Sequence, residues 1–329
     1  MPTVNIINSL RAGVQADLME MWKQKYPVFK EQQAIWLRRL GFKKPILRKA
    51  PYAWKESIPF PKPWPYKHQR TYQLFQDRQI EIALFPYELS IPFAGFDEDD
   101  DQLGDLRSHL SLASQRFLQV PDKLISEYLT GVKSLNPVLN TCYDGVGLYS
   151  ALDGAGAARF GAAGGNIIVG SGISTAALSN DFALAQRRLM DFLDPSGESP
   201  IFSEEDVTYS RMTAIIPTGL NEIFQQLTKS EMLRIDTTNN VSQSNWLKGT
   251  FKYRINPYLT DQQDWYVVVE HEYWKPFVLR EPGEGGLRQI FADFNNSDRA
   301  REYNEYAVHS DIRYGIGPWS PFVTVKINN

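Results

Sequence analysis

Four prolines alternate with other residues in the stretch PFPKPWP, at Pro59, Pro61, Pro63 and Pro65. Each ring fixes φ near the polyproline value and removes a backbone N–H. That excludes a helix, and it excludes the interior of a sheet. The stretch is the centre of a larger cluster, because eight of the 20 prolines fall between Pro45 and Pro92. Trp54, Phe60, Trp64 and Tyr66 are set among them, with basic residues between. Residues 45–68 therefore read as one long extended excursion in polyproline geometry, and any compact fold has to be built from the chain on either side.

The charges are distributed as unevenly as the prolines. Residues 1–80 carry 15 Lys/Arg against 5 Asp/Glu, a balance of +10, and residues 81–329 carry 20 against 33, a balance of −13. A basic N-terminal quarter ahead of an acidic body reads as an arm that lies on something negative, either a nucleic acid or the body of another copy. Within that arm Val14, Leu18, Met21 and Trp22 form one apolar helix stripe that Pro27 ends. A second short helical piece carries Ile35, Trp36, Leu37 and Leu40 beside Arg38 and Arg39. Helices so short are marginal alone, so the arm needs a surface to lie on.

Beyond the prolines the pattern changes to that of a core. Ile80, Ile82 and Leu84 alternate, and after Pro86 shifts the phase Tyr87, Leu89, Ile91 and Phe93 alternate. This predicts strand, with Pro86 confining it to an edge or a bulge. The acidic run DEDDD at 97–101 precedes a helix whose stripe is Leu103, Leu106, Leu110, Ala113 and Phe117. Pro121 interrupts that pattern, PDKLISEYLTG restarts it, and Gly131 is its C-cap. Nine of the 22 glycines then fall between Gly145 and Gly172. A helix capped by Asn180 or Asp181 runs through FALAQRRLMDFL to the Asp194-Pro195 break, RMTAII is a buried strand, and Pro217-Thr218 opens another helix. FKYRI, DWYVVVEHE and PFVTVKIN read as strands. Helices and strands are mixed without regular βαβ alternation, so the class is α+β.

Catalytic constellations are missing. The spacing Gly156 to Gly161 is that of a phosphate loop, but Ala162 stands where the lysine belongs. The four histidines form no metal-binding pattern, and no nucleophile elbow occurs. DEDDD reads as a solvated helix start, since no EF-hand spacing supports a metal. Glu270 and Glu272 lie two apart on a strand with nothing to mark a substrate cleft. Cys142, the one cysteine, cannot form an internal disulfide and reads as a packed small residue. No enzyme, cofactor or metal is expected. No apolar run approaches the roughly 20 residues of a membrane span. The start of the chain lacks the charged and apolar regions of a secretory leader, so no membrane or secretory role is expected. The basic aromatic segment 43–70 leaves one alternative open, a cytoplasmic nucleic-acid-binding protein that stacks bases on its rings.

Several stretches carry a family resemblance, in this order: FAGFDEDDD at 93–101, FLQVPDKLISEYL at 117–129, Cys142-Tyr143-Asp144-Gly145, the helices at 178–192 and 215–233, and Asn256-Pro257-Tyr258-Leu259 followed by Asp264-Trp265-Tyr266. Together they resemble the Mu-like phage major head subunit family, among the tailed-phage major capsid proteins with the Hong Kong 97-type fold. The segment 51–66 departs from that family's usual loop. The resemblance implies an N-terminal arm over 1–44, an extended loop over 45–95, and a peripheral domain over 96–180 plus 276–329 that holds a long spine helix. The fourth region is an axial domain over 181–275. It implies a structural protein that assembles as hexamers and pentamers into an icosahedral head around double-stranded DNA. Its partners would be other copies of itself, a portal, decoration or scaffolding proteins, and non-specifically bound DNA. Its location would be the virion, after assembly in the host cytoplasm. Trp22, Trp36, Arg38, Arg39, Trp54, Phe60, Trp64 and Tyr66 are the candidate intersubunit contacts.

Overall fold

The computed structural model describes residues 41–43, 49–55, 77–94, 103–194, 199–236, 241–271, 274–280, 288–291 and 305–329. Two strands organise it. Met212–Ile216 (β6) and Trp265–Val269 (β10) are buried at every position. Their side chains alternate between two cores: Met212, Ala214, Ile216, Trp265, Val267 and Val269 face one, and Ile215, Tyr266 and Val268 face the other. A strand covered on both faces reads as an unbroken apolar run, which is what RMTAII and WYVVV are.

These strands are the centre of a five-stranded sheet. Its other members are Ile167–Val169 (β5), Lys252–Ile255 (β9) and Thr324–Asn328 (β14), in the order β5-β14-β10-β6-β9. On one face lie the helices Thr175–Met190 (α2) and Asn221–Lys229 (α3), through Leu178, Phe182, Ala185, Leu189, Phe224 and Leu227. On the other face lies the second half of Leu103–Thr130 (α1), through Phe117, Leu124, Ile125, Tyr128 and Leu129. A buried hydrogen bond fixes the crossing, with the Asn256 amide donating to Ser126 Oγ at 2.8 Å.

The same face of α1 also packs on a second sheet. Its long strand, Glu305–Pro318 (β13), pairs antiparallel with Phe85–Ala94 (β4), Phe277–Arg280 (β11) and Arg288–Phe291 (β12). Gly41–Lys43 (β1) adds to β11 in parallel. β4 has β13 as its sole strand partner among the described residues, so Pro86 and Pro92 sit on an edge, as expected. Among the described residues, the strands Lys49–Lys55 (β2) and Asp77–Ala83 (β3) pair only with each other, as do Met232–Asp236 (β7) and Val241–Ser244 (β8).

The structure changes four expectations. α1 is one continuous 28-residue helix through Pro121, roughly 42 Å long. One lost backbone bond does not break it, because Pro121 and the following turns are buried against both sheets. Gly131 does cap it, with φ at 73° and its N–H donating to Glu127 O. α2 begins six residues before Asp181, because Ser174 is its N-cap and accepts from the Ala177 N–H. Asp181 is instead a buried residue inside the helix that accepts from Ser171 Oγ at 2.7 Å. The same helix ends at Met190 rather than at the Asp194-Pro195 break. Finally, residues 49–55 form a ladder with β3 rather than unpaired polyproline. Pro51, opposite Glu81, is tolerated because a two-stranded ribbon leaves each strand an outer edge.

Tyr128 shows how tightly the junction of α1 with the second sheet is closed. Its hydroxyl donates to Ile316 O and accepts from Asn140 N–H, both at 3.0 Å, and burial pushes its pKa up to about 12. Burial also raises those of Tyr149 and Tyr266. An unfolded phenol ionises near ~10. The stability from these buried phenols is therefore complete below that pH and is lost as pH rises through the folded values. Melting followed from pH 8 to 11.5 should show a steep fall in Tm beginning near pH ~10, with phenolate absorbance appearing together with unfolding.

Candidate assembly surfaces

The glycine-rich segment is ordered around one cation. Arg159 is 1% exposed and forks onto Asp144, Nε to Oδ2 at 2.6 Å and Nη2 to Oδ1 at 3.1 Å. Its Nη1 also donates to Leu148 O at 2.8 Å. Asn166 continues the network, donating to Leu148 O and Pro321 O and accepting from the Ser150 N–H. The phosphate-loop spacing noted in the sequence thus encloses the protein's own guanidinium. The network fixes the start of β5, which is one edge of the first sheet.

The two edges of that sheet are unlike. At the β5 edge Val169 is 84% exposed, and Ile173 just after it and Leu184 on α2 are exposed apolar side chains as well. β9, the opposite edge, exposes Lys252, Arg254 and Ile255. At the base of the β7–β8 ribbon, Met232 and Trp246 are exposed, and Trp246 stacks edge-on against Tyr209 at 5.2 Å. Sequence reasoning missed all of these. Trp246 in SNWLKGT carried a signal, a large aromatic in a polar turn, but no period that would set it outside.

The ribbon of β2 and β3 is the other projecting feature. Lys49 pairs with Ala83 at one end and Lys55 with Asp77 at the other, a length of roughly 20 Å. Residues 56–76 connect its two strands, so the alternating prolines belong to this connection. Of the expected contact residues, Trp54 lies on β2 opposite Arg78. Trp22, Trp36, Arg38, Arg39, Phe60, Trp64 and Tyr66 lie outside the described residues.

No group of His, Cys, Asp and Glu side chains able to hold a metal occurs among the described residues, and none of their helices is long and apolar enough to cross a membrane. Glu270 accepts from Thr213 Oγ1 at 2.7 Å, and the acidic run at 97–101 lies outside the described residues. Cys142 is buried with its thiol pushed up to about 12, which leaves it protonated and unreactive.

No family model matches the chain, and no curated protein matches it. Solved structures do, over nearly its whole length. The capsid of an empty GTA particle, computed with C5 symmetry, superposes with a TM-score of 0.57 at 10% identity, covering 89% of each chain. A chain from Microbacterium phage Oxtober96 gives 0.55 at 13% identity over 89% of this chain and 90% of that one. The capsid of cyanophage P-SCSP1u gives 0.52 at 12% identity over 88% and 86%. The chain has the Hong Kong 97-like phage capsid fold. At identities this low the likeness lies in the course of the backbone. The β2–β3 ribbon lies within residues 45–95, the region expected as the extended loop.

The Arg159–Asp144 pair is testable in the free subunit. Arg159→Met leaves the Asp144 carboxylate buried without its partner, a loss of about 3–5 kcal/mol. Urea unfolding of the variant should show that loss. A loss below about 1 kcal/mol would mean that the pair behaves as a surface bridge.

Proposed function

We propose that the chain is the major capsid protein of a phage, a structural subunit that assembles as hexamers and pentamers into an icosahedral head enclosing double-stranded DNA. The observation that carries this reading is the likeness to the capsid chains of a GTA particle and of cyanophage P-SCSP1u over nearly nine-tenths of both chains. The unlike edges of the first sheet support it. A closed ring of identical subunits is joined by a heterologous contact, in which one patch meets a different patch on the next copy. An apolar β5 edge and a basic β9 edge are two such patches. The charge asymmetry adds a second contact, a +10 arm against a −13 body, which gives steering and register and weakens with salt.

The division into arm, extended loop, peripheral domain and axial domain is part of the same proposal, with one adjustment. β5 and β14 are hydrogen-bonded into the sheet of β6, β9 and β10. They belong with the axial domain, which then takes in residues 167–169 and 324–328 as well as 181–275. Portal, decoration or scaffolding partners, the virion location and host assembly follow from the role. A capsid subunit performs no chemistry.

Negative-stain microscopy of the purified chain tests the reading. Shells, or rings of five or six, are expected. A monomer that binds DNA below micromolar concentration at physiological salt would favour the nucleic-acid-binding alternative instead. A second test concerns the ribbon's connection. If residues 51–66 pack on a neighbouring copy, Trp64→Ala should weaken assembly by about 2 kcal/mol or more and leave monomer melting nearly unchanged. Lowered melting with assembly hardly affected would place the loop on its own subunit.

A further inference from the structure

The β2–β3 ribbon leaves the body over a seat that has almost no side chains. β11 and β13 pair with Val278 opposite Gly317 and Arg280 opposite Gly315. Residues paired across strands, and residues two apart along one strand, share a face. On this face of β13, then, the floor is Gly315 and Gly317, flanked by Val278 and Arg280. The last residues of β3 lie on it. Ile80 and Ile82 pack with Val278 and Trp319 in a small core of their own, with Tyr143 at its rim.

The glycines are there for space. Neither has a positive φ, so the backbone at both positions is open to any residue. A Cβ at Gly315 would stand 2.5 Å from the Ala83 carbonyl oxygen, and a Cβ at Gly317 would stand 2.7 Å from Cγ1 and Cδ1 of Ile82. Arg280 closes the third side. It is 1% exposed, its Nη1 donates to the Ile82 carbonyl, and its Nε and Nη2 find no hydrogen-bond partner among the described residues. A buried cation with two idle donors is costly to keep, and an apolar side chain of the same volume would fill the space at less cost. What this one does is hold the main chain of β3 at the root of the ribbon.

We propose that Gly315, Gly317 and Arg280 form a seat that sets the angle at which the β2–β3 ribbon leaves the subunit, and so where its connecting segment meets a second copy of the chain. The part concerning a second copy rests on the capsid reading; the angle itself does not. Leverage makes the seat matter. Raising Ala83 by about 1 Å with Ile80 as the pivot, three residues or about 10 Å away, swings the far end of the ribbon, about 10 Å beyond that pivot, by about 1 Å the other way. Packed interfaces do not absorb such a shift. The two glycines also make different demands. The clash at 317 is with a side chain and is relieved by shortening Ile82. The clash at 315 is with backbone and is not.

The test measures the angle directly and assembly separately. In the full chain, Lys55→Cys at the far end of β2 and Asn180→Cys on the exposed face of α2 accept spin labels, while buried Cys142 does not. Pulsed dipolar spectroscopy should show the mean Lys55–Asn180 distance shifted by about 1 Å in Gly317→Ala. It should return to the unsubstituted value in Gly317→Ala/Ile82→Ala. Gly315→Ala should shift it with or without Ile82→Ala. In the unlabelled proteins, the concentration at which shells form should rise at least tenfold in Gly317→Ala and fall back in the double variant. An unshifted distance in both glycine variants, or a double variant no closer to the parent than Gly317→Ala, would overturn the seat. If the distances behave as stated but the parent chain forms no shells, the capsid reading fails and the seat stands.

Discussion

The burial of β6 and β10 on both faces is the constraint on which the rest depends. Ten buried strand positions, five on each strand, have to be covered by separate layers. α2 and α3 provide one. α1 provides the other, and because α1 also lies on β11 and β13 it joins the two sheets through a single apolar core. The Ser126–Asn256 hydrogen bond and the Tyr128 hydroxyl then fix the rotation of the helix at the two contacts.

Elements whose burial is local were legible in the sequence. MTAII and WYVVV read as buried strands because two-sided burial removes the polar alternation. α3 read from Leu220, Ile223, Phe224 and Leu227, and the end of α1 read from Gly131. Elements that depend on distant partners were not. β13 reads AVHSDIRYGIGP through its later part, with charged residues and glycines at strand positions, because its glycines answer to β3, some 230 residues earlier. β2 looked like polyproline because nothing near Pro51 announces its partner across residues 56–76. Pro121 looked like a break because the packing that carries the helix through it comes from both sheets.

The assembly surfaces were legible only as composition. The proline cluster marked an excursion and the charge split marked an arm, which lies outside the described residues, and the family resemblance named the fold that the solved capsid structures share over most of the chain. The particular side chains of the sheet edges were not marked. Val169 and Trp246 are ordinary hydrophobic residues until the structure leaves them outside, and Arg159, inside a glycine run that looks like a ligand loop, is the group that fills that loop. Two unlike sheet edges are what the proposed capsid role asks of a subunit whose work is done by its surfaces.

One junction, built on β10 and α1, carries a ribbon that packs on the body through Ile80 and Ile82 near its root. Amide hydrogen exchange on the unassembled chain measures this directly. β6, β10 and the second half of α1 should exchange last and together, at the rate of global unfolding. In β3, the amides near Ile82 should be protected and those near Asp77 should exchange orders of magnitude faster. Exchange of α1 well before β10, or protection of the far end of the ribbon equal to that of β10, would contradict the account.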